Sequence, residues 1–158
     1  MTENKTNVMR LLEQAGIAYV PHFYDPDNGI DGQSVARSLG EDPQAVFKTL
    51  VTQGRDRTHY VFVSPVTSTL DLKLAARACG EKFIEMIPQK NLLPLTGYIH
   101  GGCSPVGMKK PFPTFIDETA QLFDTICVSA GKVGAQVELA PDALADLVHA
   151  RFVPLTCG

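Results

Sequence analysis

The stretch GYIHGGCSPVGMKK, Gly97 to Lys110, packs four glycines, a cysteine, a histidine, a serine, a proline and two lysines into fourteen positions. So dense a mixture fits neither plain core nor an ordinary turn, and four chemistries compete for it. A phosphate P-loop needs GxxxxGK[ST] between a strand and a helix. Gly102 to Gly107 has that glycine spacing, but Met108 stands in the place of the lysine and the following PFP prevents a helix from starting. A metal centre would begin from His100 and Cys103, yet a tetrahedral site wants at least three protein ligands. No second Cys/His cluster lies nearby in the sequence, and His22, His59 and His149 are scattered, which reads as surface or capping histidines. A Cys103 nucleophile needs a base within reach, and His100 is the only local candidate; a lone cysteine beside glycines otherwise reads as a small apolar filler. The fourth chemistry is the backbone itself. Gly101 and Gly102 bring main-chain N–H groups close to a ligand with no Cβ in the way, and Pro105 and Gly107 fix the bend. Such a wall suits a carbonyl, ribose or carboxylate oxygen, unless the glycines merely let two backbones cross.

Outward from this loop, elements alternate irregularly. Val8, Leu11, Leu12 and Ala15 recur at helical spacing and Gly16 stops the run. IAYVPHFY reads as a strand that Pro21 assigns to an edge or a bulge, and DPDNGIDG as a polar loop. Val35, Ala36 and Leu39 predict a short helix closed by Gly40, and Asp42-Pro43 a second, brief helix start. FKTLVTQ and THYVFVS form two strands around the turn GRDR. Residues 71–79 form an amphipathic helix ended by Gly80, with Leu72, Ala75, Ala76 and Cys79 on one side. PTFID, TICVS and AQVEL are strands, and PDALADLVHARF is a helix entered through its proline. The order predicts a single α/β domain of the α+β kind over residues 1–158, with a mixed, largely antiparallel sheet or partial barrel flanked by helices, rather than regular βαβ winding.

A chain of 158 residues with 44% hydrophobic and 20% charged residues has an ordinary globular composition and needs no staples to close a core. No apolar run reaches the eighteen or so residues of a membrane span, and the start MTENKTNVMRLLEQAG lacks the apolar stretch of a secretory signal. Cys79, Cys103, Cys127 and Cys157 form no CxxC pair, so they read as reduced thiols in a cytoplasmic protein. A net charge of −3 argues against general nucleic-acid binding, which needs many Lys and Arg contacts to phosphate. It leaves room for a protein that grips only the end of a nucleic acid.

GGCSPVGMKK, then PTFID and VSAGKVG, with AVFKTLV, VSPVTSTLDLKLAA and GEKFIEM upstream in the same order, resemble the bacterial Cys-tRNA(Pro) deacylases of the YbaK/EbsC type. These are free-standing relatives of the editing domain of bacterial prolyl-tRNA synthetase, and the resemblance runs from about Leu11 to Phe152. It implies the fold of that synthetase-associated editing domain. It also implies an aminoacyl-tRNA deacylase that hydrolyses the ester of mischarged Cys-tRNA(Pro). Cysteine is close to proline in size, and a hydrophobic pocket separates such near-isosteres poorly, so a second site removes the error. The implied partners are the 3′ end of aminoacylated tRNA and prolyl-tRNA synthetase in a ternary complex, with no membrane, no cofactor and no metal. Deacylation of another misacylated tRNA, such as Ala-tRNA(Pro), and a silent aminoacyl-tRNA-binding module are the alternatives.

The same resemblance assigns roles residue by residue. Lys48 of AVFKTLV corresponds to the key lysine of the family, which holds the substrate end. Gly101 and Gly102 correspond to backbone contacts to the aminoacyl ester, with Ser104 nearby. Tyr24 and Ser129 line the pocket, Ser129 otherwise serving as a cap for the AGKVG turn. Gln136 stands where the better-known branch carries an Asp, and Cys103 where it carries an aliphatic residue, so a thiol nucleophile is not implied. The DPDNGIDG loop differs in length from that branch, so the resemblance assigns no aromatic pocket residue there, and Ile30 is the candidate the loop offers. Lys109, Lys110 and Lys132, with Lys48, would form a local basic rim for the terminal nucleotides.

Overall fold

The computed structural model describes residues 5–157; the first four residues of the start read above and Gly158, within the expected 1–158 domain, lie outside them. A three-stranded antiparallel sheet has the order β1-β7-β6, with β1 Val20–Phe23, β7 Ala135–Leu139 and β6 Ile126–Ser129. A five-stranded sheet has the order β4-β2-β3-β5-β8, built from β2 Phe47–Gln53, β3 His59–Pro65, β4 Glu85–Met86, β5 Thr114–Asp117 and β8 Arg151–Val153. Its β4-β2-β3 half is antiparallel, whereas β3-β5 and β5-β8 are parallel. A parallel bridge between Val46 and Cys127 joins the two sheets. The fold is therefore the expected α+β domain with a mixed sheet.

Five helices cover the sheets: α1 Asn7–Gln14, α2 Gly32–Leu39, α3 Leu72–Cys79, α4 Leu92–Thr96 and α5 Pro141–Val148. The apolar stripe of α1 buries Val8, Met9 and Leu12 against Val128, Val137 and Leu139 of the small sheet, where Leu144 of α5 joins them. α3 lays Ala75 and Ala76 on Phe62 and Phe115, whose rings stack at 5.5 Å. Pro21 lies in edge strand β1, where its missing N–H leaves no gap in a ladder.

One expected element is cut short. The predicted helix over 141–152 stops at Val148, because His149 takes a left-handed conformation at φ 58° and Ala150 N–H closes on Ala145 O at 2.9 Å. The freed RFV segment then extends and pairs with β5 as β8. Strand β4 and helix α4, absent from the sequence reading, are both very short.

The glycine loop packs on the loop between β6 and β7. A Cβ on Gly102 would sit 3.0 Å from backbone atoms of Lys132 and Val133. Backbone cannot swing aside as a side-chain tip can, so Gly102→Ala is expected to destabilise the protein by about 1–3 kcal/mol. A lowered urea midpoint at unchanged m-value checks this, and an unchanged midpoint would show that the two loops separate freely.

Candidate active site

The strand ladder leaves a notch, and the candidate site lies there. Val66 N–H donates to Val46 O and Gly54 N–H to Thr58 O, so the even-numbered residues of β2 turn their backbone groups toward β3. The odd-numbered residues face the other way. On that outer edge the bridge to β6 is at Val46, Ile87 N–H closes on Val51 O, and β4 pairs at Thr52 and Gln53. Between these attachments the N–H and C=O of Thr49 meet no strand. A cavity of about 360 Å³ opens there, walled by Lys48, Thr49 and Leu50 on one side and by Gly101 and Cys103 of the glycine loop on another. Ser129 and Gln136 of the small sheet, with Tyr24, complete it.

Lys48 is half-buried, and its Nζ donates to Ser68 O at 3.0 Å. Desolvation pushes its ammonium below the ordinary lysine range. Lys48 is the only Lys or Arg lining the cavity among the described residues. Lys109, Lys110 and Lys132 are exposed and do not line it.

The glycine loop divides its work. Gly102 N–H donates to Ile99 O at 3.0 Å, closing a turn whose third residue, Gly101, has φ 88°. The amide of Gly102 is thus occupied and the residue does not line the cavity, which departs from the expected role of a wall donor. Its missing side chain serves the backbone crossing instead. Gly101 and Cys103 do line the cavity, and neither N–H has a hydrogen-bond partner among the described residues. Ser104 is also placed elsewhere: it is fully buried, outside the cavity wall, and its Oγ accepts from Val106 N–H at 3.2 Å. Ser129 meets both readings made of it, accepting from Gly131 N–H at 3.1 Å while lining the cavity. Ile30 lines the cavity beside Gly101.

Cys103 faces the cavity, yet burial pushes its thiol up to about 12, so thiolate is negligible near neutral pH. No hydrogen bond links it to His100 among the described residues.

Three residues were missed in the sequence. Thr49 presents a buried hydroxyl without a partner beside its unpaired backbone groups. Its signal was a polar residue in the apolar row Phe47, Thr49, Val51. Glu41 follows the Gly40 cap and lies against Gln136. A carboxylate only accepts, so the Gln136 amide nitrogen points at Glu41, 3.1 Å from Oε1 and 2.8 Å from Oε2. Its carbonyl oxygen is left turned away from Glu41. The negative charge lacking at position 136 thus stands one residue behind it, on a carboxyl that burial pushes up. The third is His22, read as scattered, which lies 2.8 Å from Glu138.

Residues 30–147 match the model of the aminoacyl-tRNA editing domain. A protein of Enterococcus faecalis with the provisional name Cys-tRNA(Pro)/Cys-tRNA(Cys) deacylase EbsC is 47% identical over 156 residues, which cover 98% of this chain and 95% of that protein. The chain belongs to the aminoacyl-tRNA editing domain family. Two solved structures share the fold. A provisionally named trans-editing enzyme for prolyl tRNA synthetase superposes with a TM-score of 0.83 at 24% identity, covering 98% of this chain and 100% of that one. A scaffold protein from work on epitope backbone grafting gives 0.81 at 25% identity, covering 96% and 95%. No described helix is long and apolar enough to cross a membrane.

The editing-domain cavity makes a charge prediction. Burial disfavours the charged amine, so Lys48 is expected to lose its proton as pH rises through a range below 10.5. Side-chain nitrogen NMR of Lys48 against pH measures this, and a midpoint at or above 10.5 would contradict the buried placement.

Proposed function

We propose that this protein hydrolyses the ester between cysteine and tRNA(Pro), acting in trans on a product of prolyl-tRNA synthetase. The carrying observation is the notch at Thr49. It offers a small cavity with unpaired N–H groups, one ammonium and the side-chain amides of Gln33 and Gln136, and no activated nucleophile on its walls. Its volume lies at the small end of the roughly 300–1,000 Å³ of small-molecule sites, which suits an aminoacyl group and a terminal ribose rather than a whole nucleotide chain. The name of the Enterococcus relative supports cysteine as the amino acid.

In this reading Gln136 accepts from the α-ammonium of the substrate, held in that orientation by Glu41. Lys48 leaves the Ser68 carbonyl for an oxygen of the terminal nucleotide. The sulfur of the cysteine attacks its own ester carbonyl, forming the S–C bond of a thiolactone as the C–O bond to the ribose breaks. The thiol proton passes to the leaving ribose oxygen, and water then opens the thiolactone to free cysteine. Gly101 N–H, with Cys103 N–H, meets the oxyanion; one such donor contributes about 3–4 kcal/mol. Fixing sulfur and carbonyl together is the larger part of the rate, since orientation alone contributes up to about 7–11 kcal/mol.

The acidic balance fits a partnership. A chain of net charge −3 with one lysine in its cavity holds the acceptor end and leaves the choice of tRNA body to prolyl-tRNA synthetase in a ternary complex.

Single-turnover rates on Cys-tRNA(Pro), Ala-tRNA(Pro) and S-methylcysteinyl-tRNA(Pro) test the reading. Cysteine is expected to be released at least about 100-fold faster than the other two, by the scale of an orientation effect. Lys48→Ala is expected to lose about 10- to 100-fold, the worth of a charged hydrogen bond. Equal release of S-methylcysteine would remove the thiol mechanism, and clearance of alanine alone would move the specificity.

A further inference from the structure

The outer face of the small sheet carries a second constellation beside the cavity wall, and of its residues the chemistry above uses only Glu41, which orients Gln136. His22 on β1, Glu138 on β7 and Cys127 on β6 point to that face, with ligand atoms all within 4.8 Å of one another. Glu41 reaches over it from the loop after α2. Its Oε2 lies 3.6 Å from Cys127 Sγ and 4.0 Å from His22 Nε2, while His22 Nε2 lies 2.8 Å from Glu138 Oε1. Tetrahedral zinc, with bonds of about 2.0–2.3 Å, spaces its ligand atoms by roughly 3.3–3.7 Å. His22, Cys127 and Glu138 thus already lie near this spacing, and Glu41, close to the first two, is placed to supply a fourth ligand.

Charge makes the same demand. Two carboxylates and a buried thiol converge, and among the described residues no Lys or Arg forms an ion pair with either glutamate. The partners of the two carboxylates are instead a hydroxyl, an amide, a thiol and one imidazole: Thr125 Oγ1 donates to Glu138 and His22 lies against it, while Gln136 and Cys127 donate to Glu41. Three of the four ligands stand on strands whose register fixes their spacing: Cys127 pairs with Glu138, and His22 with Gln136 one pleat away. Glu41 is set by its own N–H, which donates to Ala36 O at 2.9 Å across the Gly40 turn.

We infer that His22, Glu41, Cys127 and Glu138 form a site for one zinc-class transition-metal ion. Imidazole and thiolate among the donors select zinc or cobalt over magnesium or calcium. Binding displaces the thiol proton of Cys127 and any proton on His22 to solvent. The ion neutralises the acidic cluster and pins Glu41, and through Glu41 the Gln136 amide at the cavity wall. This departs from the expectation of a metal-free protein and concerns a site apart from the glycine loop.

The test uses the purified chain stripped by a chelator, titrated with Zn²⁺ against a chromophoric competitor and, separately, with Co²⁺. One equivalent of zinc is expected to bind and raise the melting temperature. Cobalt is expected to give tetrahedral bands and a thiolate-to-cobalt charge-transfer band. Cys127→Ser should remove the charge-transfer band, and His22→Asn should weaken both metals. Cys157→Ser, at the exposed thiol beside Asp71, should change neither. A charge-transfer band that survives Cys127→Ser but disappears in Cys157→Ser would overturn the assignment, as would the absence of stoichiometric binding by the folded wild type. Neither readout depends on deacylation, so this site and the proposed function stand or fall separately.

Discussion

An unfinished sheet edge is the constraint around which the molecule is arranged. β2 pairs with β3 along its whole length, but its outer edge is shared between β6 at one end and β4 at the other. Thr49 lies between them, its hydroxyl without a partner and its N–H and C=O on the unpaired edge among the described residues. Buried polar groups without partners are costly and rare. Here they border a cavity.

The glycine loop has a different job from the one its composition suggests. Two adjacent glycines look like a pair of donors, yet only Gly101 has an unpaired N–H at the cavity. Gly102 allows the loop to lie on the backbone of Lys132 and Val133, and its own N–H closes the turn that presents Gly101. The position of the wall and its chemistry thus come from neighbouring residues with separate roles.

Behind the opposite wall, a polar layer replaces what would otherwise be hydrophobic packing. Glu41 accepts from Gln136 and also meets Cys127, while His22 bridges to Glu138. In a half-buried cluster of this kind each group restricts the next. An amide at position 136 therefore has one orientation, whereas a free carboxylate there would have none enforced. The shape of the cavity and the acidity behind it are coupled through a single side chain.

Much of the fold is legible in the chain because its signals are local. The stripe of Val8, Leu11 and Leu12, the Pro21 edge strand, the GRDR hairpin and the Gly40 and Gly80 stops each depend on a few neighbouring residues, and all hold. The helix after Pro141 was read too long, since its end depends on β5 offering a parallel edge to Arg151–Val153, an interaction between segments over thirty residues apart. Lys48, Tyr24, Ser129 and Gln136 were named from motifs and do line one cavity. Motif order thus determined the fold class and several residues of the wall, among them Lys48, Tyr24, Ser129 and Gln136. Only the tertiary structure decided that the Gly102 amide is occupied, that Thr49 faces an open edge, and that His22, Glu41, Cys127 and Glu138 meet. Hydrogen-bond direction and long-range convergence follow from strand register and sheet closure, and neither is written in any short window of sequence.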